Sequence, residues 1–432
     1  MKKGAFSFLL SLLLATSTYA APFRVAIFPL AGTGEEGLGE ALAEALAQGL
    51  RAVKGVKVIE PRVLLRPTSQ KFPQTLTFED RMKLGRLLKI QGSSDGVFEQ
   101  EAGTLRVRVR FFDPQAGKAV GEKEVVGRRE ELFALAEQIG SAFLKAFKLP
   151  SPSEKAWRRA FQSPTPSLPA YLAYAKGRWS LATSSEEGYD QALKSFQKAL
   201  ELDENFTLAR HGLGLTFTGL GYYWRAAWEF TKAFHLDPHF AEAYKALGDV
   251  MASAPRKLSQ AMEAYQKAIE QDPEYADAYV GLGDIKVTMG ESEEAIALYR
   301  RALKADPDHA RVYYSLGRLY HHEKGLYYEP IEAYRKAIAL DPGLVEAYVA
   351  LGELYEEKGL YPEAVQAYEG AIAIEPRNPN AWFSLAQALE KLDQKKAIAT
   401  WERYIQLASS LPAEKEWLEI AKHHLKKLEE AR

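Results

Sequence analysis

Six acids recur down the second half of the chain at a nearly constant interval, and that interval leaves few folds open. They close the segments "ELDEN", "HLDPH", "EQDPE", "KADPD", "ALDPG" and "AIEPR", at Asp203, Asp237, Asp272, Asp306, Asp341 and Glu375, always 34 or 35 residues apart. A repeat of this length is one supersecondary unit too small to bury its own apolar face, so neighbours must stack into a helical solenoid. In all but the first segment a proline follows the acid. Lacking an amide hydrogen and restricting the residue before it, that proline ends one helix and opens the turn to the next.

Within each period the apolar spacing fits two antiparallel helices. The unit from Ala276 to Pro307 shows Tyr279, Leu282, Gly283, Gly290, Ala295, Tyr299 and Ala302; the unit from Val345 to Pro376 shows Tyr348, Leu351, Gly352, Tyr355, Gly359, Ala364, Tyr368 and Ala371. Large residues fill the interface between the helices, and Gly and Ala let them approach. Period and small–large pattern together resemble the tetratricopeptide repeat family over residues 170–410. Seven units are predicted, beginning near Ala170, Phe206, Phe240, Tyr275, His309, Leu344 and Pro379. In the fifth, Pro330 stands where alanine is usual, so its second helix should carry Pro330 in its first turn. The Tyr, Leu and Trp positions are expected to be nearly all core. Residues 411–432, with Trp417, Ile420, Ala421 and Leu425 on one face, read as a capping helix.

Residues 21–149 follow another pattern. "FRVAIFPL" and "VKVIEP" read as strands around the helix "EGLGEALAEALAQGLRAV", and "TFEDRMKLGRLLKI" as a helix capped by Thr77 and Asp80. "SDGVFEQ", "TLRVRVRFFD" and "AVGEKEVV" form a meander before the helix "REELFALAEQIGSAFLKAF". This β-α-β-α-β-β-β-α order, with the pattern of "VAIFPL" and "DGVFEQEAGTLRVRVRFFDPQAGKAV", resembles the TolB amino-terminal-like α/β domain, which in its family often precedes tetratricopeptide repeats. No β-propeller of the TolB kind is evident. The expected fold is thus an α+β domain, a mixed sheet with flanking helices, followed by an all-α superhelical solenoid. Between them the Pro/Ser-rich stretch 150–169 reads as a semi-extended joint containing a short helix, whose Trp157 and Phe161 are placed to dock on either domain.

Two stretches imitate catalytic motifs. Gly32, Gly34 and Gly37 match G-x-G-x-x-G, and Glu60 stands where a ribose-binding acid would. Yet Glu35, Glu36 and Glu40 crowd the helix start, where a pyrophosphate would be repelled, and the expected sheet is not doubly wound. The glycines are read as structural. "GSSDG", residues 92–96, matches G-x-S-x-G around Ser94, but the order helix, turn, strand is wrong for a nucleophile elbow and every histidine lies at 211 or beyond. The pairs His321–His322 and His423–His424 point about 100° apart on a helix and do not make a chelate. No catalytic residue, cofactor or metal is expected.

Lys2 and Lys3 before "AFSFLLSLLLA" and "STYA" read as a signal peptide, residues 1–20, removed after Ala20, which would place the protein in the periplasm or outside the cell. The chain has no cysteine, hence no lipobox and no disulfide framework. A net charge of −1 gives no footprint for nucleic acid, and no membrane span is expected after cleavage.

In the family that the repeats resemble, the first helix of each pair lines a concave surface. That register implies a groove lined by Lys245 and Asp249, Asp284, Arg311, Tyr314, Arg318 and His321, and Glu353. An Arg–Tyr–Arg–His stripe between acidic turns would suit an extended peptide with an acidic or aromatic centre. The Lys/Asn set of chaperone-tail-binding members is missing, with acids at 249, 284 and 353 in its place. The function expected is an exported, non-enzymatic adaptor, the groove holding a protein or peptide of the cell envelope and the first domain a second partner. An obligate subunit of an envelope assembly machine, and a small-ligand sensor or enzyme built on the first domain, are the alternatives.

Overall fold

The computed structural model describes residues 22–68, 76–254, 257–322, 328–409, 411 and 414–430; the leader expected at 1–20 lies outside them, as does the side chain of His322. Strands β1 (Phe23–Ile27) and β3 (Val56–Val58) run parallel, joined by helix α1 (Leu38–Arg51). After α2 (Pro61–Leu65) and α3 (Phe78–Leu87), β4 (Gly92–Glu101) returns parallel to β1 on its other side. β5 (Thr104–Asp113) and β6 (Lys118–Arg128) continue antiparallel, giving the order β3-β1-β4-β5-β6, with short β2 (Ala31–Thr33) paired to β4. In β5 the alternation is clean: Leu105, Val107, Val109 and Phe111 are buried between exposed residues, as a period of two requires. Helix α4 (Leu132–Ala146) covers that face, its Phe143 ring edge-on to Phe111 at 5.3 Å. Thr77 and Asp80 form the expected capping box on α3: the Asp80 amide donates to Thr77 Oγ1 at 3.1 Å and the Thr77 amide to Asp80 Oδ2 at 3.0 Å.

Two local readings are sharpened. The strand expected from Ser94 begins two residues earlier, at Gly92, where the turn was read, and Ser94 is buried inside the sheet. The short helix expected within 150–169 is α5 (Glu154–Ala160), and of the two sides open to them Trp157 and the following Phe161 are buried on the first domain. Trp157 Nε1 donates to Ser141 Oγ at 3.1 Å, and the Phe161 ring lies so close to Gly49 that a Cβ there would sit 1.9 Å from it.

Among the described residues the solenoid has seven helix pairs: α6 (Leu168–Ala182) with α7 (Glu186–Leu202), α8 (Thr207–Gly219) with α9 (Tyr223–Leu236), α10 (Ala241–Ala252) with α11 (Leu258–Gln271), α12 (Ala276–Thr288) with α13 (Ser292–Ala305), α14 (Ala310–His322) with α15 (Tyr328–Leu340), α16 (Val345–Glu357) with α17 (Tyr361–Ile374), and α18 (Pro379–Glu390) with α19 (Gln394–Ala408). Pro330 falls in the first turn of α15, and α20 (Lys415–Glu430) closes the stack, with Ala421 buried against it. The small–large pattern has a direct cause. The rings of Tyr299 and Tyr368 press on Gly283 and Gly352, where an added Cβ would stand 2.5 Å from the ring. The second repeat departs from the expectation that aromatics are core: Tyr222, Tyr223, Trp224 and Trp228 are exposed, with Arg225 and Lys232 lying over the indole rings.

The first domain and the solenoid share one apolar core. It runs from Val25 and Leu42 through Tyr171, Phe196 and Phe230 of the first two repeats and takes in Val345 and Ile374 of the sixth. The Gly-x-Gly-x-x-Gly stretch belongs to this seam. Gly37, at a φ of 90°, brings the start of α1 against the Leu172 carbonyl, 2.9 Å from where a Cβ would stand. Glu35 is held by Arg129 and Glu36 by Lys176 of α6. At the opposite edge the buried Arg24 of β1 donates to the Leu340 carbonyl at 2.8 Å and to Asp341 at 3.2 Å, so the domain also grips the turn between the fifth and sixth repeats.

Candidate functional site

The first helices of the third to fifth repeats form the walls of a cavity of about 630 Å³. Four of the eight expected groove residues meet there: Lys245, Asp249, Asp284 and Arg311, joined by Asp277 and Tyr265. Two of the acids are engaged within their repeats. Tyr265 donates to Asp249 at 2.8 Å and Tyr299 to Asp284 at 2.7 Å, and Lys245 Nζ also reaches Asp249 at 2.8 Å. This Tyr–acid pair was legible in principle, since both members recur one period apart. Asp277 faces His309 at 3.4 Å; burial pushes its carboxyl up, but His309, Lys245 and Arg311 outweigh that and hold it well below the usual carboxylate range.

The fifth repeat differs. Where the third and fourth carry Asp249 and Asp284, it carries Arg318, so Tyr334 meets no carboxylate from that position. Arg318 instead lies over Tyr314, 5.9 Å from the ring centre. Arg311 and Arg318 are exposed, Tyr314 is half-buried, and among the described residues neither guanidinium has an ion-pair partner. The remaining two expected residues stand further on. His321 pairs with Glu357 at 2.9 Å, and Glu353 is exposed on α16, its carboxyl pushed up by burial. Among the described residues no cluster of His, Asp and Glu could hold a metal ion.

A second cavity, about 550 Å³, lies where the first domain meets the first two repeats, and sequence reasoning gave no sign of it because its walls come from distant segments. Glu60 and Pro61 face Tyr174 and Arg178 of α6 and Leu208 and His211 of α8. Behind it four charges interlock: Arg178 meets Glu60 at 2.7 Å and Glu44 at 3.6 Å, and Arg51 meets Glu44 at 3.3 Å and Glu60 at 3.0 Å. Burial raises the Glu60 carboxyl, but Arg178 and Arg51 outweigh it and bring it down to about 2.

His211 is held neutral. Burial against Phe230 and Phe240, then the charges of Arg178 and Lys245, lower its pKa to about 3. Between the ordinary value near 6.5 and 3 the unfolded chain binds a proton that the folded chain does not, so stability falls as pH drops through that window. The depressed Glu60 adds a further loss as pH falls from about 4.5 towards 2. His211→Gln should therefore flatten the pH dependence: unfolding free energies from urea titrations at pH 7 and pH 5 should differ by about 1–2 kcal/mol less than in the parent protein. An unchanged slope would mean that His211 does not carry the effect.

Comparison with known proteins identifies tetratricopeptide repeats within residues 252–393. A family model of the tetratricopeptide repeat matches residues 252–319, and a second, for the TPR repeat, matches residues 321–359 and 357–393. Among solved structures the chain is similar to the APC/C hetero-tetramer Cut9–Hcn1, with 17% identity and a TM-score of 0.43 over 69% of this chain and 63% of that one. It is similar to yeast Tom70 at 20% identity and a TM-score of 0.49, over 69% of this chain and 60% of that one. It is similar to MamA at 32% identity and a TM-score of 0.30, over 40% of this chain and 92% of that one. The chain spans less than two thirds of the length of the first two. No curated protein matches the sequence.

Proposed function

We propose, from the premise that residues 252–393 are tetratricopeptide repeats, that this chain is a non-enzymatic scaffold whose third to fifth repeats hold an acidic segment of a protein partner. Repeats of this family bind protein partners, and the observation that carries the finer reading is the fifth repeat. Arg311, Tyr314 and Arg318 follow one another at helical spacing of three and four on α14, and the two guanidiniums lack carboxylates of their own among the described residues. A planar guanidinium pairs bidentately with a carboxylate, and Tyr314 between them offers a rigid apolar face with a polar tip. The acids on either side, Asp284 before and Glu353 after, confine the positive patch and set ligand register.

A photo-crosslinkable residue at Tyr314, compared with one at exposed Trp228, tests the reading in a pull-down from the native envelope. Crosslinks from position 314 should map to an acid-rich stretch of one protein. Equal yields from both positions would overturn the groove.

Export belongs to the same proposal. The Lys-Lys and apolar leader support removal after Ala20 and a mature protein in the periplasm or an equivalent space. No helix among the described residues is long and apolar enough to cross a membrane. Mass spectrometry of the protein from its own cell should find Ala21 at the amino terminus, and an intact Met1 on cytosolic protein would refute export. The first domain resembles the TolB amino-terminal-like domain in element order, and its free meander edge, β6, is offered to a second partner. The alternative of an obligate envelope-machine subunit shares these surfaces and predicts that the chain cannot be purified apart from its complex.

A further inference from the structure

The seam cavity does not end at its apolar body. Arg62, Ala182 and Ser184, which line it, also line a small adjoining cleft whose other walls are Arg66, Thr183, Glu375 and Arg377. Three arginines thus converge on one cleft from two sides. Arg62 and Arg66 come from the first domain, and Arg377 comes from the turn between the sixth and seventh repeats. Among the described residues none of the three has an ion-pair partner. The Arg66 side chain makes one long contact among the described residues, 3.4 Å to the Gly343 carbonyl, and Glu375, the acid in the described lining, accepts from Asn378 at 2.9 Å. Three like charges left together in a crevice favour an anion between them.

The cavity body has the opposite character. Its polar side chains are largely committed inside the protein: Arg178 and Glu60 to the four-charge network, Thr218 to the Gly214 carbonyl at 3.0 Å. His211 is neutral, and Pro61, Leu181, Ala182, Leu208 and Leu215 supply apolar wall together with the rings of Tyr174 and Tyr189, whose hydroxyls are the convergent polar groups beside Ser184. A volume of about 550 Å³ lies in the range of small-molecule sites, which are mostly apolar with a few convergent polar groups. A peptide backbone would need free donors and acceptors along its length, and this wall offers few.

We infer that the seam is a binding site for an amphipathic anion: an apolar tail in the cavity between the first domain and the first two repeats, and a carboxylate or phosphate head among Arg62, Arg66 and Arg377. The inference is independent of the groove of the fifth repeat, with which it shares no residue. A bound ligand of this kind touches the first domain, the first two repeats and the turn between the sixth and seventh. It relieves repulsion between arginines of separate elements, so it stabilises the contact between the first domain and the solenoid as well as occupying a pocket.

Calorimetric titration of the full mature chain with dodecanoate and dodecyl phosphate, kept below their micelle-forming concentrations, tests it. Inorganic phosphate serves as the head alone, dodecanol as the tail alone, and an amino-blocked apolar peptide with a free carboxyl terminus as the competing source of the same chemistry. Both amphiphiles should bind at one site and raise Tm, and each partial probe should bind at least about tenfold more weakly. Arg62→Ala with Arg377→Ala, both at exposed positions, should weaken the amphiphiles about tenfold or more while leaving dodecanol unchanged. Leu215→Glu, at the exposed rim of the cavity, should weaken them with the arginines intact. Phosphate binding as tightly as dodecyl phosphate would reduce the site to a surface cluster of cations. Dodecanol matching dodecanoate, or the peptide exceeding both, would overturn the ligand class. A double arginine variant that binds as the parent does would overturn the site.

Discussion

Arg311→Ala combined with Arg318→Ala should lower affinity for the captured partner by about tenfold to a hundredfold while leaving Tm almost unchanged. The two halves of this expectation have separate causes. Both side chains are exposed and neither forms an ion pair among the described residues, so their removal takes away little that holds the repeat together. Arg318 contributes a stacking contact over Tyr314, a modest loss at an exposed site. The partner, by contrast, would lose two bidentate positions flanking an aromatic anchor. A fall in Tm with capture unchanged is the signature of arginines that serve only to join neighbouring repeats, and it would remove the groove assignment. Arg→Lys at both positions separates geometry from charge: planar pairing predicts that lysine restores only part of the affinity.

Arg178→Ala should destabilise the protein by about 2–3 kcal/mol, read from the urea midpoint. Glu44 is only 8% exposed at its side chain, and the substitution leaves it with Arg51 alone, 3.3 Å away. The loss stays below that of a fully buried pair because Glu60, the other acid, is half in water. The cost comes from stranding a carboxylate, not from the net worth of the bridge, and a compensating variant exposes the difference. Arg178→Met with Glu44→Leu replaces charges by apolar groups of similar size and should recover most of the lost stability. If the single variant were as stable as the parent, the charge network would not be holding the seam. Failure of the double variant alone would show that Arg51 and Glu60 need the other two charges.

The solenoid was almost fully legible, and the first domain nearly so, because both are governed by local periodicity. The 34–35-residue spacing of Asp203 to Glu375, the glycine facing each tyrosine, the capping box at Thr77 and the alternation in β5 are all read from residues close in sequence. What escaped was set by contacts between segments far apart. The start of β4 was read two residues late, since "GS" before Ser94 looks like a turn by composition, but Gly92 pairs with Val25 of β1 and Ser93 with Phe112 of β5, and the sheet overrides the local preference. In "PSPSEKAWRRAFQSPTPS" the short helix was legible but the side on which Trp157 and Phe161 dock was not, because the apolar ground they find on α1 and α4 comes from other segments. The groove was half legible. Repeat register located Lys245, Asp249, Asp284 and Arg311 on one wall, yet it could not tell that tyrosines one helix later engage two of the acids. Nothing local announced the arginine cleft, since Arg62 and Arg377 lie more than three hundred residues apart.

A stack of helix pairs is ordinarily a spring: small rotations at each interface add up, and its pitch drifts with every thermal kick. Here the spring is braced. The first domain is fixed to its opening coils through Tyr171 and Arg178, and to a coil four turns of sequence later through Arg24, whose guanidinium spans from β1 to Leu340 and Asp341. Stretching the coil would have to break those bonds before it could lengthen the intervening repeats. The spacing between anchor points along the third to fifth repeats is therefore constrained by the brace, and a partner held there as proposed would meet a ruler instead of an elastic surface that adjusts to it.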